Sequence, residues 1–443
     1  MASSIGRQGA PGTLESKPDL SPRQMRRAII AATLGNGLEF YDFVTFAFFA
    51  IQIGNTFFPS DSEYLSLMGS LATFGAGFIT RPIGAHVLGG YADRRGRKPA
   101  MLLSMSMMGA GICLLALSPG YATIGYAAPA IAVVARLMQG FALGGEVGSA
   151  TTYMVEVAPS EHRGRASSWQ LVSQQIAATL GATAGLGLSL LLDPAELASF
   201  GWRIALLIGA SVVPMALYIR NSLPETHVPP HPHESGRVRF GDYRRLALLG
   251  GIVLGSGTIA TYIFNYMATF GQTQLHLSAS ASFAAETANN GVGAVAAFAG
   301  GALSDRFGRV RTMVVPQVAF VLLILPCFLW LTTARDAASF IGANMLLSIC
   351  SNLATGPLLA AISEGLPGLI RARVVALVYA IPIATLGGTT QLVVTWLLHV
   401  TGTSMALALY LAAVSLVGAA AMAAMPETAP VRLRAMAARQ ASA

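Results

Sequence analysis

Twelve apolar stretches with short polar breaks between them run along most of the chain. They lie near residues 27–54, 64–91, 100–118, 123–157, 166–192, 202–222, 245–274, 280–304, 312–333, 337–365, 374–399 and 403–425. A helix crosses about 30 Å of hydrocarbon with roughly 20 residues, so each stretch predicts one membrane span. The longer ones are absorbed by tilt or protrusion. The runs are continuous and lack the ten-residue alternation of an outer-membrane strand, which argues for helices over a barrel. The expectation is an all-α membrane protein with twelve transmembrane helices.

Residues 1–25 are polar, carry Pro11, Pro18 and Pro22, and have no apolar signal-peptide core, so the first hydrophobic helix is expected to act as the insertion signal. With the N-terminus inside and twelve crossings, the even loops are cytoplasmic. That side collects 24 of the 28 lysines and arginines; Arg203 and Arg335 face the other way, and Arg81 and Arg136 fall inside helices. This asymmetry is what the positive-inside rule requires, and it predicts a multi-pass protein of the cell inner (plasma) membrane with both termini cytoplasmic.

Composition agrees. With 54% hydrophobic and 11% charged residues among 443, the chain cannot clothe a soluble surface, which excludes a cytoplasmic enzyme, a nucleic-acid binder and a disordered scaffold. Cys113, Cys327 and Cys350 sit in apolar runs at spacings that suggest neither disulfides nor a metal site. His231 and His233, in a proline-rich loop, read as solvated linker rather than metal ligands. No cofactor is expected.

The strongest internal signal is a repeat. Gly89-Gly90-Tyr91-Ala92-Asp93-Arg94-Arg95-Gly96-Arg97 recurs as Gly301-Ala302-Leu303-Ser304-Asp305-Arg306-Phe307-Gly308-Arg309, 212 residues later. Glu156 with Arg163 and Arg165 recurs as Glu364 with Arg371 and Arg373, and Pro224-Glu225-Thr226 as Pro426-Glu427-Thr428, at offsets of 208 and 202. Three ordered pairs at nearly one offset imply duplicated halves, giving two pseudo-symmetric six-helix bundles at 27–222 and 245–425. A linker at 223–244 joins them, and tails at 1–26 and 426–443 flank them. Asp93 and Asp305, at helix ends, are expected to pair with arginines or to face the positive N-terminus of a neighbouring helix, as breakable latches.

The Gly-x-x-x-Asp-Arg-x-Gly-Arg loop after the second and eighth helices resembles the signature of the major facilitator superfamily, whose halves rock about a central substrate site. Arg136-Leu137-Met138-Gln139-Gly140, with Gly144, Tyr153, Glu156 and Arg163, resembles the fourth helix of sugar porters and metabolite:proton symporters. Gly35-Asn36-Gly37-Leu38-Glu39-Phe40-Tyr41-Asp42-Phe43, Arg81-Pro82-Ile83-Gly84 and Gly144-Gly145-Glu146 favour the metabolite:proton symporters. Within them, Thr56-Phe57-Phe58-Pro59 looks most like carriers of citrate and related carboxylates. The resemblance implies a major facilitator fold, proton-coupled carriage, and a helix-one acid paired with the helix-four arginine at Asp42 and Arg136.

Ionisable residues inside helices cost on the order of 2.5–3.5 kcal/mol each on insertion scales and therefore mark function. Asp42 is expected to be the principal proton acceptor, with Glu39 as helper. Arg136 would be the gating partner and a substrate contact, and Arg81 a ligand for a substrate carboxylate. Asn36, Gln170, Gln174, Tyr262, Tyr266, Asn289 and Asn290 would complete substrate binding, with Glu286 beside the last two. A cytoplasmic gate is expected from Asp93, Arg94, Arg97, Glu146, Glu156, Arg163, Glu225, Asp305, Arg306, Arg309, Glu364, Arg371 and Glu427.

The function expected is uptake of a small organic anion, a citrate-like di- or tricarboxylate, by proton symport through alternating access, in a monomer within the lipid bilayer. The alternative is the same scaffold carrying a zwitterionic osmolyte, a sugar or an exported compound in exchange for protons. The sequence has no His-Glu-x-x-His helix, Gly-x-Ser-x-Gly elbow or P-loop, which argues against an enzyme.

Overall fold

The computed structural model describes residues 36–37, 40–95, 97–144, 155, 158–221 and 243–441. Among them the chain is helical apart from short loops and turns, without strands, and each of the twelve predicted spans contains one or more helices, while 27–35 and 38–39 of the first and 145–154 and 156–157 of the fourth lie outside the described residues. The first span is helical over 40–48 and through Ala50–Phe57. The second is Glu63–Ile79 followed, after Thr80, by Arg81–Arg95. Arg97–Leu117, Ala127–Leu143, Arg163–Leu191 and Trp202–Asn221 are the third to sixth.

Arg244–Thr273, Ala279–Phe307 and Arg309–Ala334 form the seventh to ninth spans. The tenth comprises Ala337–Thr355 and Leu358–Glu364, with Pro357 between them, where a missing backbone N–H interrupts the ladder. The eleventh runs Gly368–Pro382, relaxes into a π-turn at Ile383–Gly387 and resumes as Gly388–Thr401. Ser404–Ala424 is the twelfth. A further helix, Pro430–Ala441, stands where the sequence suggested only a tail.

Short polar side chains start several spans. Ser278 accepts from the Ala281 N–H at 3.1 Å, and Asp336 from the Ser339 N–H at 2.7 Å. The bonds from Ser339 hold the Asp336 carboxyl below the usual carboxylate range.

Among the described residues five helices are long and apolar enough to cross a membrane by composition: the seventh, ninth, tenth, eleventh and twelfth. The polarity of the fifth and eighth spans has a packing reason. The fifth buries Ser167, Ser168, Gln170, Ser173, Gln174 and Gln175, the eighth buries Ser282, Glu286, Asn289, Asn290 and Ser304, and the two pack against each other along their length. Glycines permit the approach: a Cβ on Gly301 would lie 2.6 Å from the Gly164 carbonyl oxygen, and one on Gly185 would lie 2.8 Å from the Phe283 ring. These polar faces are turned to protein, and the seam between the halves runs along them.

Candidate functional site

Arg136 comes to the centre because its helix is small-sided. The fourth span buries Ala128, Ala132, Ala135 and Gly140, and Gly140 lets its backbone press on Gly77 of the second span. Phe43, Phe74 and Phe78 fill the space beside this contact. They therefore coat the guanidiniums that the second and fourth spans project inward.

Arg136 is 1% exposed and Asp42 is also 1% exposed. Arg136 Nη1 donates to Gln139 Oε1 at 2.6 Å and reaches Asp42 Oδ2 at 3.4 Å. The second distance is long for a charge-assisted bond, which ordinarily closes to about 2.7–2.9 Å. Asp42 Oδ1, Arg136 Nε and Nη2, and Gln139 Nε2 have no hydrogen-bond partner among the described residues. Arg136 lies 4.2 Å from the centre of the Phe46 ring and 5.2 Å from that of Phe43. These faces partly replace the water it has lost.

Arg81 also stands on Phe43, 4.6 Å from that ring, and is 4.2 Å from Phe78. Tyr262 and Tyr379 also face Arg81, Tyr262 within hydrogen-bonding reach. Tyr262 packs edge-on to Phe43 and Phe78, at 6.1 and 5.5 Å between ring centres, so this seventh-span ring closes the aromatic wall built by the first two spans. Two guanidiniums thus share the Phe43 ring at the meeting of the halves, and one of them, Arg136, is paired with a carboxylate.

A polar arm extends from this centre. Gln170 Nε2 donates to Asn36 Oδ1 at 2.8 Å, and Asn36 Nδ2 donates to Ser173 Oγ at 2.7 Å and to the Gln170 carbonyl at 3.1 Å. Gln174 Nε2 donates to the Tyr379 hydroxyl at 3.2 Å, linking the fifth span to the eleventh.

Three residues expected at the substrate are engaged by partners other than the arginines. Tyr266 is buried in the C-terminal core, where its hydroxyl is bonded to Thr395. Asn290 Nδ2 donates to Glu286 Oε2 at 3.2 Å, and the Asn289 carbonyl accepts from Ser348 Oγ at 2.8 Å. Glu39 lies outside the described residues.

At the arginine-rich end a second charged cluster forms. Asp305 accepts the backbone N–H groups of Gly164 and Arg165 at 2.9 and 3.0 Å, capping the fifth span from the opposite half. Arg309 is fully engaged: Nη1 with Asp305 at 2.6 Å, Nε and Nη2 with Glu364 at 3.0 and 2.9 Å. Glu427 accepts from the Arg309 backbone at 2.8 Å, and Thr428 Oγ1 donates to Glu364 at 3.1 Å. Arg371 Nε donates to the Ser363 carbonyl at 2.9 Å. Arg94 and Arg306 are exposed and Arg163 is half-buried. Glu146, Glu156 and Glu225 lie outside the described residues, as do the side chains of Asp93 and Arg97.

Sequence reasoning passed over Tyr379, Gln139 as a ligand of Arg136, and the ring shell of Phe43, Phe46, Phe74 and Phe78. For two of these a signal existed: Phe74 and Phe78 stand at i, i+4, and Gln139 at i+3 from Arg136, on one helix face. Tyr379 is a lone polar group in an apolar run and carries no such mark.

Comparisons with known proteins bear on the family and the fold. The family described as Major Facilitator Superfamily matches residues 32–381. A citrate-proton symporter of Salmonella typhi is 35% identical over 404 residues, covering 89% of this chain and 93% of that protein. A proline/betaine transporter of Escherichia coli strain K12 is 28% identical, covering 95% and 87%. Among solved structures, a D-xylose-proton symporter superposes with a TM-score of 0.75 at 16% identity, covering 91% of this chain and 98% of that one.

Proposed function

The chain belongs to the major facilitator superfamily and is one of its transporters, and from that premise we propose that it takes up a citrate-like di- or tricarboxylate by proton symport. The observation that carries this reading is the buried pair of Arg136 with one carboxylate, Asp42, beside a second guanidinium, Arg81, that stands on the same Phe43 ring. A polycarboxylate binds guanidinium bidentately and can take Arg136 over from Asp42. Asp42 released from Arg136 is a buried lone carboxylate, which favours taking up a proton, so cargo and proton arrive together. Asn36, Gln170, Gln174 and Tyr262 would orient the remaining carboxyl and hydroxyl groups. The resemblance to a citrate-proton symporter supports this assignment.

Alternating access would rock residues 27–222 against 245–425 about the 223–244 linker, with Asp305, Arg309, Glu364 and Glu427 as the latch at a cytoplasmic end, both termini on that side, and the monomer as the working unit. The resemblance to a proline/betaine transporter favours a second reading, a zwitterionic cargo. Aromatic faces commonly hold quaternary ammonium groups. Here those faces are occupied by the protein's own guanidiniums, 4.2 Å from Phe46 and from Phe78, which repel a second cation and leave the carboxylate reading ahead.

Proteoliposomes containing the purified protein test this. An imposed inward proton gradient should accumulate labelled citrate saturably, with betaine and xylose failing to compete at tenfold excess. Betaine uptake without citrate uptake overturns the assignment.

A further inference from the structure

Glu286 takes no part in the centre described above, yet it is buried to 1% exposure in the eighth span. Its position on that helix is informative. Phe283, three residues earlier, lies 4.9 Å ring to ring from Phe49 of the first span and against Gly185 of the fifth. Gly293, seven residues later and so on the same face, presses on Gln175 of the fifth span and on Ser348 and Asn352 of the tenth. Glu286 therefore stands on the seam between the halves, about 10 Å along the helix from Ala279, the end opposite the basic cluster.

Its surroundings hold no countercharge among the described residues. Asn290 of its own span donates to it at 3.2 Å, and the seventh span offers the Ala268 backbone. Gln175, Ser348 and Asn352, from the fifth and tenth spans, meet the same helix face and do not titrate. Tyr266 of the seventh span is turned to Thr395. Asp305 and Arg309, the charges near this helix, are about 28 Å away at its other end. A purely structural acid in such a place has a cheaper substitute in glutamine, because an unpaired carboxylate away from water is among the costliest groups to keep.

We propose that Glu286 is a second proton-binding site, in the half that does not supply Arg81 and Arg136. The carboxylate takes up one proton from the side opposite the basic cluster when that end of the seam is open to water. It stays a neutral acid while the seam is closed, and it releases the proton when rocking opens the seam from the other side. This deepens the symport reading and rests on it: Asp42 and Glu286 together would move two protons per cargo molecule, one site answering to cargo and the other to the position of the seam.

The test has one arm that needs no cargo and one that does. In infrared pH-difference spectra of the purified protein, the wild type should show the carbonyl stretch of a protonated carboxyl that Glu286→Gln lacks and Asp42→Asn retains. No difference between wild type and Glu286→Gln overturns the proposal whatever the cargo. In proteoliposomes, the citrate gradient sustained by a tenfold proton gradient should fall about tenfold in Glu286→Gln, the factor one lost proton carries, while citrate-citrate exchange persists and Glu286→Asp restores the gradient. An unchanged gradient in Glu286→Gln also overturns it. Wild-type protein that shows the carbonyl band but carries no citrate sinks the cargo assignment and leaves the site.

Discussion

The two buried arginine clusters use the same residue types and reach opposite geometries. At the basic end Arg309 has Nε, Nη1 and Nη2 all bonded to Asp305 and Glu364 within 3.0 Å. At the centre Arg136 spends one nitrogen on Gln139 and, at 3.4 Å, on Asp42, and leaves Nε and Nη2 unbonded among the described residues. A saturated guanidinium is a brace, since any movement breaks several bonds together. An unsaturated one, cushioned by ring faces, has room for another acceptor. On the proposed mechanism, the difference in bonding, rather than in residue type, would separate the part of this protein that latches from the part that exchanges partners.

Charge removal at the centre should have the largest effect. Asp42→Asn is expected to cut the citrate gradient sustained by a tenfold proton gradient about tenfold alone and about a hundredfold together with Glu286→Gln, while exchange without net proton movement survives. If Asp42→Asn accumulates citrate as the wild type does, the central cluster is a brace after all and the contrast fails. Arg136→Gln strands Asp42 and should also cost about 3–5 kcal/mol of stability, seen as a lowered Tm. The double variant of Asp42→Asn with Arg136→Gln should recover much of that Tm and none of the transport, which separates stability from coupling.

Next comes the brace. Glu364→Gln leaves Arg309 with Asp305 as its one carboxylate among the described residues and weakens charge-assisted bonds worth about 1.5–3 kcal/mol. Amide hydrogen exchange at Gly164–Ser168, where the fifth span is capped by Asp305, should accelerate roughly tenfold to a hundredfold. The half-saturation for citrate should change far less. Arg81→Lys keeps the charge and discards the planar fork, so it should weaken citrate binding about tenfold with little change in Tm. Equal affinity for Arg81→Lys would remove bidentate recognition from Arg81.

The spans were legible because a membrane imposes one rule, continuous apolar length, on every crossing. Their breaks were less so. Pro382 is visible in the sequence, but whether a proline kinks, ends or relaxes a helix into a π-turn at Ile383–Gly387 depends on what packs beside it. Helix Pro430–Ala441 was missed because no hydrophobic run announces it; Arg432 Nε donates to the Phe307 carbonyl at 3.0 Å, and Arg434 reaches Glu161 at 3.3 Å. Asp42, Arg81 and Arg136 stood out because charge is expensive in a helix interior. Tyr379 and Phe46 did not, since an aromatic residue in an apolar run carries no sign of whether it faces lipid or a guanidinium.

The finest test of the contrast is the hydroxyl of Tyr262. This ring comes from the C-terminal half and packs edge-on to Phe43 and Phe78, while its oxygen faces Arg81. Tyr262→Phe keeps the ring contacts and deletes one polar group beside the proposed cargo. A hydrogen bond of net worth about 0.5–1.5 kcal/mol predicts a two- to tenfold rise in half-saturation for citrate. Maximal uptake and Tm should stay near wild type, because the packing that joins the halves is untouched. Should Tyr262→Phe instead lower maximal uptake at constant half-saturation, the hydroxyl acts on the rocking step, and the wall it completes belongs with the brace at the basic end rather than with the exchangeable centre.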